Sequence, residues 1–120
     1  DVEMIVRGDY YQKNGKHYVL YEELIEGFKE PVKNIIKITS TSMDITKKGT
    51  AITHMLFEKN RKNVSCYSTP FGEIVVGIQA NHFAVDEQAD SLKVNVDYSL
   101  DINYEHMSDC RILVDVQSCQ

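Results

Sequence analysis

Two residues of opposite charge, Glu23 and Lys47, stand where apolar side chains are expected. Glu23 shares an alternating face with Val19 and Tyr21, and Lys47 shares one with Ile45. A charge that leaves water is costly unless it is paired or reaches solvent. If both faces point inward, the pair could anchor a small ligand in or at the mouth of a barrel. The alternative is that both charges sit at strand ends and extend into water.

Tyrosines on inward-facing positions form a second group of candidates. A tyrosine offers an apolar body and a hydroxyl, which suits a ligand pocket, but it is also an ordinary core residue. A barrel of about eight strands is just wide enough to be filled by side chains or to hold one small molecule. The tyrosines expected to line the interior are Tyr10, Tyr21, Tyr98 and Tyr104. The predicted ligand-binding residues are Tyr10, Tyr21, Glu23, Lys47 and Tyr98.

Motifs for catalysis, metal binding and phosphate binding are missing from the sequence. The histidines have neither HxH nor HExxH spacing, and no GxSxG, GxGxxG or GxxxxGK motif occurs. Cys66 lies within Val64-Ser65-Cys66-Tyr67, where we expect a buried, unreactive thiol. Glu22 and Glu23 are adjacent and would point to opposite faces of a strand. We therefore predict no catalytic residue, no metal and no cofactor, and we rank an enzyme third, behind a ligand-binding module and an interaction module.

Length and composition restrict the class of protein. The 120 residues suit one domain over residues 1–120, since single domains commonly contain about 100–150 residues. The net charge of −5 argues against nucleic acid as a partner, because such binding depends on clustered basic residues. The 3 cysteines are widely spaced, which indicates reduced thiols and a cytoplasmic location. No apolar run approaches the roughly 20 residues of a membrane-spanning helix.

The segment Leu92–Glu105 organises the rest of the chain. Apolar and polar residues alternate throughout it, and this period of two is typical of a strand with one buried face. Its length indicates a strand that bends or coils, and we expect a turn near His106–Asp109. A second clear signal is Asn14-Gly15, which predicts a two-residue hairpin turn. That turn would pair Lys13 with Lys16, Tyr11 with Tyr18, Tyr10 with Val19, and Arg7 with Glu22.

About nine strands follow from the remaining pattern of alternation and turn residues. The predicted strands are Met4–Gln12, His17–Leu24, Lys33–Thr39, Met43–Lys48, Thr50–Glu58, Val64–Thr69, Glu73–Val85 (bent at Gly77), Leu92–Glu105 and Arg111–Gln117. Short connections favour an antiparallel meander, and closing a meander removes its exposed edges. The predicted fold is therefore an all-β antiparallel meander closed into a barrel.

Six segments carry a family resemblance through their order and spacing. They are Gly8–Tyr11, Lys13–Glu23, Ile45–Gly49, Met55–Phe57, Thr69–Gly72 and Leu92–Tyr104. Together they resemble the YwiB-like family of small uncharacterised bacterial proteins, whose fold is a calycin-type (lipocalin-like) β-barrel. The resemblance implies a further N-terminal strand that this sequence lacks, and it implies no activity. Family members tend to have Arg where Lys47 stands and a Gln-like residue where His54 stands.

Two hypotheses of function remain open from the sequence. The first is a module that binds a small, mostly apolar ligand inside the barrel, by analogy with the fold. The second is a protein-interaction or self-association module, such as a homodimer, with a filled barrel and no ligand. An internal cavity of about 300–1,000 Å³ would favour the first hypothesis.

Overall fold

A computed structural model describes residues 5–27, 29–49 and 52–118. These residues form nine strands: β1 (Asp9–Lys13), β2 (Lys16–Glu23), β3 (Val32–Ile38), β4 (Ser42–Lys48), β5 (Ile52–Glu58), β6 (Lys62–Thr69), β7 (Gly72–Glu87), β8 (Ser91–Ile102) and β9 (Glu105–Gln117). No helix occurs in the described ranges, so none there has the length and apolar character to cross a membrane.

Backbone hydrogen bonds join the strands into two antiparallel sheets. β1 to β5 follow one another in the first sheet, and β6 to β9 follow one another in the second. Each strand is thus hydrogen-bonded to its neighbour in sequence within its sheet, which confirms the all-β antiparallel prediction. Over the described residues the hydrogen-bonded order stops at β5 and starts again at β6. Closure into one barrel therefore stays a prediction.

The hairpin between β1 and β2 forms at the predicted place. Asn14 and Gly15 have φ angles of 54° and 75°, as a two-residue turn of this kind requires. The pairs Lys13–Lys16, Tyr11–Tyr18 and Tyr10–Val19 are confirmed. β1 begins only at Asp9, so the predicted pair Arg7–Glu22 is not part of the hydrogen-bonded pairing of β1 with β2. Met4, where the strand was predicted to begin, lies outside the described residues.

The turn after β8 lies earlier than the sequence predicts. Asn103 and Tyr104 have φ angles of 51° and 69°, and Ile102 pairs with Glu105. The strand predicted to reach Glu105 thus ends at Ile102, and β9 begins at Glu105 instead of Arg111. The prediction was wrong because the alternation of residue types continues through the turn, and tyrosine rarely adopts positive φ. Tyr104 is 83% exposed and does not line an interior.

β7 contains an irregularity, but not at Gly77 where a bend was expected. The register of β7 against β8 shifts between Ala80 and His82, so Asn81 is an extra residue of a β-bulge. Gly77 instead permits a close approach: a Cβ there would lie 3.0 Å from Lys62 Cε and 3.4 Å from Asp101 Cβ. Lys62 Nζ and Asp101 Oδ2 form an ion pair of 2.6 Å beside this glycine.

The chain divides into two compact units, Asp1–Thr39 with Met43–Met55, and Ser40–Ser42 with Leu56–Gln120. In the first unit, one face of β2, β3 and β4 carries the buried side chains. Ile38 pairs with Met43 at one end of this face, and both side chains are fully buried. Farther along the same strands, Asn34 pairs with Lys47. The face therefore changes from apolar to polar along its length.

In the second unit, the buried residues of β8 confirm the predicted alternation. Leu92, Val94 and Val96 are at most 3% exposed, whereas Lys93 between them is exposed. Burying each such aliphatic side chain contributes about 1.5–3 kcal/mol to folding. Other buried apolar side chains of this unit are Phe57, Ile78, Ala80 and Phe83.

Candidate functional site

Three neighbouring strands bring three of the predicted site residues together. The register of β2, β3 and β4 places Tyr21 opposite Asn34 and Asn34 opposite Lys47, while Glu23 lies opposite Val32. Directly opposed side chains on one face of an antiparallel sheet have Cβ atoms about 4.5–5.5 Å apart. We call Tyr21, Glu23, Asn34 and Lys47 the polar cluster.

The Glu23 carboxylate is at the centre of the polar cluster. Its Oε1 accepts hydrogen bonds from Lys47 Nζ at 2.9 Å and from Asn34 Nδ2 at 2.8 Å. The hydrogen bond from Lys47 is the main effect that lowers the pKa of Glu23; burial opposes it, and the Asn34 bond adds to the lowering. The side chains of Glu23 and Lys47 are 17% and 45% exposed. The two charges therefore form an ion pair that lies between the interior and water.

Asn34 is the member of the polar cluster that was not predicted from the sequence. Its residue exposure is 1%, and Nδ2 donates to Glu23 and, at 3.4 Å, to the carbonyl of Val32. Its Oδ1 is buried and has no hydrogen-bond partner among the described residues. An unpaired buried acceptor costs about 1–3 kcal/mol. The sequence did contain a signal for this residue, because Asn34 shares an alternating face with the apolar residues Val32, Ile36 and Ile38.

Tyr21 completes the polar cluster with a phenol group. Its side chain is half-buried, and burial is the largest effect that raises its pKa. The charge of Lys47 opposes this rise in pKa, and the charge of Glu23 adds to it. The Tyr21 hydroxyl therefore stays neutral at physiological pH and can donate or accept a hydrogen bond.

Tyr10 lies opposite Val19, on the predicted face of the sheet. It is 46% exposed because β1 is the end strand of its sheet, where every residue is exposed. Its hydroxyl lies 2.5 Å from Nδ1 of His17, and the two rings stack with centroids 5.8 Å apart. His17, which follows the hairpin turn, is 5% exposed and lies on the same face as Val19.

Tyr98, the fifth predicted site residue, belongs to the second compact unit. Its ring meets Phe57 edge to face with centroids 4.9 Å apart. Burial raises the pKa of Tyr98 to about 12, and the neighbouring Cys110 adds to this effect. Tyr98 thus has the surroundings of a core tyrosine in that unit.

The structure gives the cysteines different surroundings from those expected. The prediction of a buried Cys66 was wrong: this thiol is exposed, on the same side of β6 as Val64, which is 57% exposed. Cys66 and Cys110 are both free thiols, and Cys119 lies outside the described residues. Within the described ranges, no group of three or more His, Cys, Asp or Glu side chains could hold a metal ion.

Two surface histidines are paired with aspartates. His54 Nε2 lies 2.6 Å from Asp44 Oδ1, and His106 Nε2 lies 3.0 Å from Asp109 Oδ1. The Ser99 hydroxyl also donates to Asp109 Oδ1, at 3.0 Å. The aspartate thus stands between the serine and the histidine. Because His106 contacts the aspartate and not the serine in this arrangement, it cannot act as a base that activates the Ser99 hydroxyl as a nucleophile.

A shallow pocket lies on the second unit, with a volume of about 30 Å³. It is lined by Lys62, Val64, Val75, Gly77, Asp101 and Tyr104. This volume suits about one water molecule and is far below that of a ligand pocket. The Lys62–Asp101 pair beside it is therefore best understood as a surface ion pair.

The lowered pKa of Glu23 predicts a specific pH dependence of stability. A carboxyl group whose pKa is lower in the folded protein contributes stability above its unfolded pKa and loses that contribution as pH falls through the folded pKa. We expect Glu23→Gln to lower the free energy of unfolding by about 1 kcal/mol at neutral pH and to flatten its decline below about pH 4.5. Urea unfolding at a series of pH values measures both effects.

The matched control is Glu22→Gln, because Glu22 is the adjacent residue on the opposite, exposed side of β2. This variant should retain the acid dependence of the original protein. Equal slopes for the Glu23→Gln variant and the original protein would show that the ion pair contributes nothing to acid sensitivity.

The fold and the site define an all-β antiparallel protein with a polar cluster at one end of a buried sheet face. Residues 1–114 match the family described as a domain of unknown function, DUF1934. The chain belongs to this family. It is also similar to the YwiB protein of Bacillus subtilis, whose crystal structure aligns with 93% of this chain and 75% of that one, at 20% identity and a TM-score of 0.69.

At this level of identity, the similarity to the YwiB protein concerns the fold alone. It confirms the resemblance to the YwiB-like family that the ordered motifs indicated. A comparison with curated proteins gave no match.

Proposed function

We propose that this chain is a non-enzymatic, cytoplasmic binding module that closes into a calycin-type barrel. Its ligand would be a small, mostly apolar molecule held against the buried face of β2, β3 and β4. The observation that carries this proposal is the buried Oδ1 of Asn34, which has no hydrogen-bond partner in the described part of the chain although it lies beside the Glu23–Lys47 ion pair. Buried acceptors are nearly always paired, so an unpaired one suggests a group that a ligand satisfies.

The gradient along this sheet face supports the same proposal. Ligand pockets are mainly apolar and contain a few polar groups that fix orientation. Ile36 and Ile45 separate the fully buried Ile38–Met43 pair from the polar Asn34–Lys47 pair. An elongated ligand could place its apolar part along the isoleucines and its polar group at the polar cluster.

Exposure at the polar end provides a route of entry. Lys47 is 45% exposed at its side chain, and Tyr21 and Val32 are only partly buried. The fully buried apolar side chains, Ile38 and Met43, lie at the opposite end of the face, whereas the buried Asn34 lies among these partly exposed residues. A ligand would therefore enter beside Lys47, at the end that water reaches.

Barrel closure has its own test. A meander closes when its first strand pairs with its last, so backbone nuclear Overhauser effects between β1 and β9 are expected. Effects that are confined to the β1–β5 and β6–β9 ladders would contradict a closed barrel.

Native mass spectrometry of protein purified from a bacterial cytosol tests ligand binding. We expect a population whose mass exceeds that of the chain by one small molecule, and we expect Glu23→Ala to lose most of this population. Glu22→Ala is the matched control and should keep the added mass, because Glu22 faces the other side of β2. Spectra without added mass, from protein that also fails to take up an apolar probe such as N-phenyl-naphthylamine, would refute the proposal.

Self-association is the second candidate function, and β1 favours it. All five residues of this end strand are exposed, and the rings of Tyr11 and Tyr18 stack at 4.8 Å on the other side of the sheet from Val19. An end strand with exposed aromatic residues can pair with a second copy. A dimer without added mass in the same spectra would favour this function over ligand binding.

A further inference from the structure

We propose that the ligand carries a hydrogen-bond donor, a hydroxyl or an N–H group, which binds Asn34 Oδ1 beside Glu23. This inference rests on the proposed function and specifies the chemical class of the ligand. The polar group of the ligand would thus be an alcohol, an amide or an amine, and not a carboxylate.

The orientation of the Asn34 side chain is fixed by its neighbours. Nδ2 donates to Glu23 Oε1 at 2.8 Å and approaches the Val32 carbonyl at 3.4 Å, so both partners are acceptors. Exchanging Nδ2 and Oδ1 would set a carbonyl oxygen against a carboxylate and a backbone carbonyl. Asn34 must therefore present its oxygen on the remaining side, where this oxygen is buried and has no partner within residues 5–27, 29–49 and 52–118.

The charges of the polar cluster exclude an acidic ligand group. Lys47 is the only cation in the cluster, and its Nζ is already bound to Glu23 at 2.9 Å. A second carboxylate would have to compete with Glu23 for Lys47 and would face Asn34 Oδ1, which is another acceptor. Like charges or acceptors at such distances repel. A donor meets complementary atoms instead, because it can bind Asn34 Oδ1 while it lies close to the Glu23 carboxylate.

Three probes of matched size test the proposed ligand chemistry. Octanol has a donor, its isomer heptyl methyl ether has only an acceptor, and octanoate has a negative charge. Nuclear magnetic resonance titrations of isotope-labelled protein, which follow the side-chain amide of Asn34, give a dissociation constant for each probe. We expect octanol to bind about tenfold more tightly than the ether, since pairing a buried acceptor is worth about one tenfold step in affinity. Octanoate should bind more weakly than either.

Removing the acceptor should remove the preference for the donor. In Asn34→Ala, octanol and the ether should bind within about twofold of each other, followed through the backbone amides of β2 and β3. Asn95 provides a matched control, because its Oδ1, on β8 of the second unit, is also buried without a partner in the part of the chain that the structure describes. The Asn95→Ala variant should keep the tenfold preference.

The outcomes separate this inference from the proposed function. Equal affinities for octanol and the ether in the original protein would overturn the donor inference and leave ligand binding standing. A preference for octanoate would overturn it as well and would point to Lys47 as the anchor. Failure of all three probes to bind would overturn both the proposed function and the inference.

Discussion

Phe57→Ala is expected to lower the free energy of unfolding by about 3–5 kcal/mol, which is a large part of the stability of a domain of this size. Phe57 is fully buried in the second unit and packs edge to face against Tyr98, with centroids 4.9 Å apart. The substitution removes apolar contacts and leaves a cavity that the β-strands cannot easily fill. Urea unfolding followed by tyrosine fluorescence and circular dichroism measures the loss.

Phe71→Ala is the control for this substitution. Phe71 has the same side chain but is fully exposed in the turn between β6 and β7. Its truncation should change the free energy of unfolding by less than about 0.5 kcal/mol. Similar losses for the two variants would contradict the assignment of Phe57 to a packed core.

Asn34→Asp is the second change with a large expected effect, about 2–4 kcal/mol of destabilisation at neutral pH. The substitution replaces the donor Nδ2 with a carboxylate oxygen at a site that is 1% exposed and 2.8 Å from Glu23 Oε1. Lys47 cannot neutralise two carboxylates fully. The free energy of unfolding, measured in urea at neutral pH, should therefore fall sharply.

The pH dependence of this variant should have the opposite sign to that of Glu23. Burial and the neighbouring Glu23 would raise the pKa of the new carboxyl in the folded protein above its unfolded value of about 3.9. Between these two pKa values the folded state binds more protons than the unfolded state. The free energy of unfolding therefore falls as pH rises from the unfolded pKa to the folded pKa, and it recovers as pH falls. Urea unfolding at a series of pH values distinguishes the two signs.

A double substitution supplies the control for Asn34→Asp. When Glu23→Gln is added, the pair again consists of one carboxylate and one amide, with their positions exchanged. The carboxylate at position 34 can then accept a hydrogen bond from the amide at position 23. We expect the double variant to recover at least half of the lost stability. A double variant no more stable than Asn34→Asp alone would show that the two side chains do not interact as the distance between them indicates.

The strands were predictable because their signals are local. Alternation identified β8, and Asn14-Gly15 fixed both the turn and the register of β1 against β2. The turn at Asn103-Tyr104 escaped because its residues continue the alternation and because positive φ at a tyrosine cannot be read from residue type. Cys66 was misplaced for a related reason: alternation shows that two faces differ, but not which face is covered.

Residue types and their spacing were enough to predict the all-β class, the number and order of the strands, and the opposite charges of Glu23 and Lys47 on apolar faces. The contact of these charges with each other and with Asn34 came only from the tertiary structure, because a contact between β2, β3 and β4 depends on the register of three strands at once. The tertiary structure also showed that Asn34 Oδ1 has no partner among the residues described. Pairing and burial depend on the positions of atoms that are distant in sequence, and no local pattern of residues specifies them.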